Sequence, residues 1–269
     1  MEERVAVSSP PLAVAALPRR DRVVIVVCLI AITLLAWLYL VRLGREMSAS
    51  MEHEQMMADM GMTMDMPWTA TDAFFTFAMW AVMMVGMMTP SAAPVLLLFA
   101  ASQRRRGADA ALFGTLAFGL GYLLVWTGFS AVAATAQWAL HQAAMLSPAM
   151  ATSGTRVSAA ILIAAGLYQV TPLKGACLAH CRTPLGFLMS HWRNGTVGAV
   201  RMGIEHGTYC LGCCWALMCV LFVVGVMNLM WVAALTIFVL LEKVGPAGAF
   251  VARVGGVVMI AAGAIVLLR

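Results

Sequence analysis

The sequence has little charge for its length. Asp, Glu, Lys and Arg make up 11% of its 269 residues, whereas a soluble domain carries roughly 25%. Hydrophobic residues make up 62%, and the mean hydropathy is +0.90. This composition excludes an ordinary soluble domain and indicates a protein of the lipid bilayer. Because backbone groups in lipid must pair within each span, we expect an all-α, polytopic transmembrane helical bundle.

The chain also lacks the motifs of several common activities. It has no Gly-rich phosphate loop, no aspartyl-phosphate signature and no serine nucleophile elbow. These absences argue against ATP-driven pumping and serine hydrolase chemistry. No basic-aromatic pattern indicates a nucleic-acid partner. The formal charge of +5 is better explained by Lys and Arg in cytoplasmic loops.

A cysteine framework of the secreted type is missing as well. The chain has seven Cys, and six of them lie between Cys177 and Cys219 in two tight groups. Disulfide-rich secreted domains spread their cysteines along the chain. Tight spacing beside histidine favours metal ligands or redox thiols instead.

Seven apolar runs are predicted to span the membrane. The first follows the basic residues 19–22 and has no small-residue cleavage site after it, so we interpret it as an uncleaved signal anchor. The sixth is shorter than the roughly 20 residues that a span needs. The runs cover about 23–41, 73–101, 111–140, 157–170, 202–227, 229–241 and 244–268.

Positive residues predict which side each loop occupies. Basic groups at 19–22, 104–106 and 174–201 should all be cytoplasmic, and the alternation of spans agrees. We therefore expect a bacterial inner (cytoplasmic) membrane protein with a cytoplasmic N-terminus. The predicted regions are a basic N-terminus (1–22), the anchor (23–41), a periplasmic Met-rich loop (42–72) and a membrane metal-binding helical domain (73–269).

The predicted outer loop contains the stretch MEHEQMMADMGMTMDM, residues 51–66, in which seven of sixteen residues are methionine. Its four carboxylates exclude a membrane span. Thioether sulfur is soft and selects Cu(I), and an imidazole could hold Cu(II). A low-complexity linker touching the bilayer is the alternative. We expect copper capture by His53, Met60, Met62, Met64 and Met66.

Further methionines continue into the second span. On an ideal helix, Met79, Met83 and Met87 fall within an arc of about 80°. Met84 and Met88 form a second column beside them. Sulfurs one turn apart could pass a soft cation inward, and Pro90 and Pro94 would then free carbonyls below them. Adaptable packing with a proline kink explains the same pattern.

The stretch HGTYCLGCCW carries the sharpest motif. His206, Cys210, Cys213 and Cys214 fall on one helical face, within an arc of about 100°. Cys219 falls on the opposite side and is expected to pack. We place this group near the cytoplasmic start of the fifth span.

Just upstream, CLAHCRTP places Cys177, His180 and Cys181 in a C-x-x-H-C pattern. This is not the C-x-x-C-H of haem attachment. In helical form the three side chains share a face, so the two motifs could close one Cys/His metal site or two neighbouring ones. Buried cysteines that act as small hydrophobes are the alternative. The predicted metal is copper, most simply Cu(I), with zinc as the alternative because it also accepts Cys and His.

Three stretches carry a family resemblance: YQVTPLKGACLAHCRTPLGF, GIEHGTYCLGCCWALM and GVMNLMWVAALTIFVLLEK. With MMVGMMTPSAAP, they resemble a bacterial family of predicted metal-binding integral membrane proteins, long catalogued as a domain of unknown function. The resemblance covers about 73–268. It implies a multi-span metal-binding protein whose ligands are the cysteines and histidines of the two motifs, and it implies no established reaction.

The expected function is copper handling: capture, transmembrane relay, or service as a copper chaperone to a cuproenzyme or a periplasmic copper carrier. One alternative is a membrane-embedded, copper-dependent oxidoreductase, for example a phenol oxidase. Another is a thiol–disulfide redox protein. A third is an assembly subunit in which the metal is structural. The sequence leaves open whether any reaction is catalysed.

Overall fold

The computed structural model describes residues 17–59, 69–107, 111–143 and 154–268. Within these ranges every regular element is an α-helix. The helices are α1 (Arg19–Asp59), α2 (Ala70–Arg105), α3 (Ala111–Gln142), α4 (Thr155–Gln169), α5 (Pro172–Arg182), α6 (Pro184–Ser190), α7 (Gly195–Val224), α8 (Leu229–Val244) and α9 (Gly248–Leu268).

Five helices of the described part are long and apolar enough to cross a membrane. They are α1, over Arg19–Ser50, and the full lengths of α2, α3, α7 and α9. A sixth span results if α4 and α5, bent by 62° at their junction, count as one. The predicted count of seven is not confirmed. The fourth and sixth apolar runs form helices of 15 and 16 residues, which are short of the roughly 20 that a span needs.

Helix α1 extends well beyond the predicted anchor. It runs to Asp59, so residues 42–59 of the predicted outer loop are helical. The physical reason is the local composition, since Met, Glu, Gln and Ala are good helix formers and dominate residues 51–59. The side chain of His53 is not described. Met60, Met62, Met64 and Met66 lie outside the described residues.

Pairs of glycines let the helices approach closely. A Cβ at Gly121 of α3 would clash with the Val200 carbonyl oxygen of α7, and one at Gly203 would clash with the Phe118 carbonyl oxygen. Gly166 of α4 and Gly256 of α9 meet in the same way. Small residues at such crossings allow the dense backbone packing on which helix association in lipid depends.

Two of the predicted basic groups meet at one end of the bundle. Arg104 donates to Asp21 with an Nε–Oδ2 distance of 2.7 Å, which joins the start of α1 to the end of α2. The Arg106 guanidinium lies 4.3 Å from the ring centroid of Trp192, which precedes α7. The first two basic groups therefore meet at one end, beside Trp192, although these contacts do not orient that end in a membrane.

The polar segment 171–201 differs from the loop expected. It folds into α5, α6 and the first turns of α7. Lys174 is 1% exposed, and its Nζ lies 2.7 Å from Glu242 Oε1 of α8. The N-cap Thr171 and Pro172 start a new helix after the bend, and this helix carries the lysine inward to its carboxylate.

Candidate metal centre

A group of thiols lies where α5 meets α7. Cys210, Cys213 and Cys214 are at most 2% exposed and share a face because residues three and four apart are neighbours on a helix. From α5, the Cys181 Sγ lies 3.9 Å from the Cys213 Sγ. The structure thus brings the two sequence motifs together. We call these four residues the thiol cluster.

The three cysteines of α7 lie near the middle of that helix. Helix α7 begins at Gly195, so Cys210 lies 15 residues from its start, or about 23 Å at 1.5 Å per residue. Residues 195–201, which were predicted to precede the fifth span, are therefore already helical. The expected position near the cytoplasmic start of this span stays a prediction. Helix α5 reaches the same depth because the chain bends between α4 and α5.

The remaining residues of the upstream motif also face α7. Cys177 packs on Gly212, where an added Cβ would lie 2.9 Å from its Sγ. The His180 ring stacks on Tyr209 with a centroid distance of 4.3 Å, and its Nδ1 lies 2.9 Å from the Ala176 oxygen. The predicted shared face of Cys177, His180 and Cys181 is therefore present. Among the described contacts, it is Cys181 that joins other thiols.

His206 lies one turn before the cluster and is 3% exposed. Its ring packs among aromatic side chains, with centroid distances of 5.1 Å to Phe187 and 6.1 Å to both Phe118 and Tyr122. Its Nδ1 has no hydrogen-bond partner among the described residues. A buried polar atom without a partner is uncommon, and an imidazole nitrogen in this situation can serve as a metal ligand.

Cys210 is the centre of the polar contacts. The Lys243 ammonium donates to its Sγ at 2.9 Å, and the Tyr122 hydroxyl lies 3.0 Å from the same sulfur. Tyr122 also lies 3.2 Å from the Met88 carbonyl oxygen, and Lys243 Nζ lies 3.9 Å from the Met88 Sδ. Cys210 therefore links α7 to α2, α3 and α8.

The other two thiols of α7 point to backbone. Cys213 and Cys214 donate to the Cys210 carbonyl oxygen at 3.1 and 2.9 Å. In the part of the chain that the structure describes, no three or more His, Cys, Asp and Glu side chains are grouped as a ready metal-binding site. Binding a metal would require these thiols to lose their protons and turn to other staggered rotamers. Cys219 is half-buried and makes no hydrogen bond within the described ranges.

The methionines of the second span line the interior of the bundle. Each is at most 4% exposed, and together they belong to the main hydrophobic core. Met88 is the member whose sulfur and carbonyl reach the neighbours of Cys210. Their burial is compatible with packing as well as with a sulfur path. The five residues are Met79, Met83, Met84, Met87 and Met88.

A family model described as PpoB2, copper chaperone, matches residues 77–266. The chain belongs to this copper chaperone family. No curated protein and no solved structure matches it. The family membership confirms the metal-related part of the predicted resemblance and favours copper as the metal.

The part matched to the copper chaperone family contains the whole candidate centre. It begins at Phe77 in α2 and ends at Val266 in α9, so it includes the thiol cluster, His206 and the five buried methionines. Helix α1 and the Met-rich stretch 51–66 lie outside it. The match assigns no ligands, so both the centre and the outer stretch stay predictions.

Sequence reasoning missed two polar neighbours of the centre, Tyr122 and Lys243. Lys243 could have been identified from the sequence, because Glu242 and Lys243 end an apolar run, and ionisable residues inside a membrane are commonly functional. Tyr122 left none that we can identify, since a tyrosine in an apolar helix has no distinctive spacing. Its role follows only from the packing of α3 on α7.

Proposed function

We propose that this member of the copper chaperone family is an integral membrane protein that holds Cu(I) at the thiol cluster and passes it to a cuproenzyme or a periplasmic copper carrier. The observation that carries the proposal is the approach of Cys181 of α5 to Cys213, which shares a face of α7 with Cys210 and Cys214, beside the unpartnered nitrogen of His206. Copper is the cargo of the site.

The donor chemistry supports copper in its reduced state. Thiolates and thioethers are soft ligands that select Cu(I), whereas carboxylate and carbonyl sites suit harder ions. Four thiols exceed the two or three that Cu(I) ordinarily uses, so the surplus allows stepwise exchange to another thiol-bearing protein. Cys177 and His180, at the edge of the cluster, are proposed as exchange ligands. Zn(II) remains the competing ion because it accepts the same residues.

A route for the ion is proposed along α2. Copper is captured by His53 and the methionines at 60, 62, 64 and 66, and then exchanged between buried sulfurs of α2. Met88 supports the end of this route, since its Sδ lies 3.9 Å from the same Lys243 ammonium that contacts Cys210. In this arrangement the Met-rich stretch faces the periplasm and the basic end faces the cytoplasm.

The test is a Cu(I) competition titration of the purified protein in detergent, with a chromogenic Cu(I) chelator as competitor. Cys210→Ser/Cys214→Ser replaces soft sulfur by hard oxygen at nearly constant volume. We expect the double variant to lose tight Cu(I) binding, while the matched variant Cys219→Ser keeps it. Full Cu(I) affinity in the double variant would contradict the proposed centre.

Thiol–disulfide exchange is a second candidate, favoured by one observation. Cys181 and Cys213 sit on different helices with their sulfurs 3.9 Å apart. Loss of two electrons and two protons from this pair, to a quinone as acceptor, would form one disulfide. Free-thiol counts before and after addition of a soluble quinone test it. A loss of two thiols in the wild type and none in Cys181→Ser would favour it.

A further inference from the structure

Lys243 brings a positive charge into the middle of the candidate centre. It is 7% exposed, and its Nζ has three polar neighbours in the described structure: Cys210 Sγ at 2.9 Å, Ser91 Oγ at 3.3 Å and Met88 Sδ at 3.9 Å. Serine and methionine are neutral. A buried ammonium is costly unless an opposite charge accompanies it, so the Cys210 sulfur is the group able to supply that charge.

The carboxylate beside Lys243 in the sequence is already paired. Glu242 precedes Lys243, but both of its oxygens accept from Lys174, at 2.7 and 2.8 Å. Gln169 donates to the same carboxylate at 2.9 Å. The adjacent residues Glu242 and Lys243 therefore serve separate partners, one a lysine of α5 and the other a thiol of α7.

We propose that Lys243 is the fixed counter-charge of a Cu(I) centre with two thiolates, one of them Cys210, and that it sets the preference of the site for a monovalent ion over a divalent one. This inference rests on the proposed function, because it assumes that the thiol cluster holds the metal. Its physical basis is the positive charge of Lys243, whose Nζ lies 2.9 Å from the Cys210 Sγ.

The charge balance gives the physical reason. Cu(I) with two thiolates carries a net charge of −1, which the Lys243 ammonium brings to zero. Zn(II) with the same two thiolates is already neutral, so the ammonium would remain as an uncompensated buried charge. Zn(II) would have to recruit a third thiolate to restore neutrality. In an interior of low dielectric, a difference of one charge changes the electrostatic free energy of the site strongly.

The test compares three metal ions on Lys243→Met and Lys243→Arg. Ag(I) serves as a redox-inert monovalent probe beside Cu(I), and Zn(II) is the divalent probe. We expect Lys243→Met to lower the affinity ratio of Ag(I) to Zn(II), and likewise of Cu(I) to Zn(II), by about tenfold or more, which is about 1.4 kcal/mol. Lys243→Arg retains the charge and should keep the ratio. An unchanged ratio in Lys243→Met would overturn the inference, because general damage to the site lowers all affinities together.

Melting temperatures measured without metal test the inference when a variant folds too poorly for a metal titration. Cys210→Ser leaves the ammonium without its counter-charge, so its melting temperature in detergent should fall. Adding Lys243→Met to Cys210→Ser should recover part of that loss. Two unrelated packing defects would instead lower the melting temperature by the sum of their separate effects. Additive losses would overturn the inference. If wild-type protein bound no Cu(I) at sulfur, the proposed function would fail instead, and the two failures are thereby distinguishable.

Discussion

Cys210 and His206 are the single residues on which the centre depends most. Cys210 receives contacts from Lys243 and Tyr122, and His206 presents a buried nitrogen without a partner. Both belong to one sequence motif, so their common face was predictable from helical spacing. Their polar neighbours were not, because those neighbours come from α3 and α8, and a periodic pattern within one helix carries no information about which other helices pack on it.

At this scale we predict that His206→Ala lowers Cu(I) affinity by about tenfold or more, because an imidazole ligand is lost. His191→Ala is the matched control, since this histidine lies outside the proposed centre and its Nδ1 lies 2.8 Å from the Ser190 hydroxyl, so the variant should keep the wild-type affinity. The same chelator competition measures both variants. An equal or larger loss in His191→Ala than in His206→Ala would contradict the role of His206 as a ligand.

Among the helices, α5 is the one that completes the centre. It begins after the 62° bend, and its inner end is held by the buried Lys174–Glu242 pair. The sequence predicted helical character for the C-x-x-H-C segment. It did not predict the bend or the burial of Lys174, because a lysine beside a proline-containing segment reads as a loop residue until its carboxylate partner, 68 positions away, is known.

We predict that Lys174→Met destabilises the protein by about 3–5 kcal/mol, as expected when one partner of a buried ion pair is removed. The melting temperature in detergent measures the effect. The double variant Lys174→Met/Glu242→Met removes both charges and should regain most of the stability. If the single variant melted at the same temperature as the double variant, the single change would have left no costly unpaired charge, and this prediction would be contradicted.

For the whole molecule, the contacts join the first two basic groups at one end of the bundle, beside Trp192. The all-helical class was predictable from composition, and the meeting of these two groups from their charge. The number of spans was less predictable, because α4 and α8 are as apolar as membrane spans but are shorter than a span requires. Hydropathy registers the apolar character of a short inward helix and not whether it crosses the bilayer.

The proposed orientation predicts a labelling pattern in intact cells. In a background without native cysteines, Thr63→Cys should react with a membrane-impermeant maleimide, because its segment is proposed to face the periplasm. Arg105→Cys, exposed at the opposite end of α2, should react only after permeabilisation. The reverse pattern would contradict both the sidedness and the direction of the copper route.

X-ray absorption at the copper edge of the copper-loaded protein tests the central claim most directly, because it reports the atoms bound to the metal. We predict a Cu(I) edge and a first shell dominated by sulfur at about 2.3 Å, close to the Zn–S distance of cysteine sites. Cys210→Ser/Cys214→Ser should lose that sulfur shell, and Cys219→Ser should keep it. A wild-type first shell of oxygen and nitrogen alone would contradict the account.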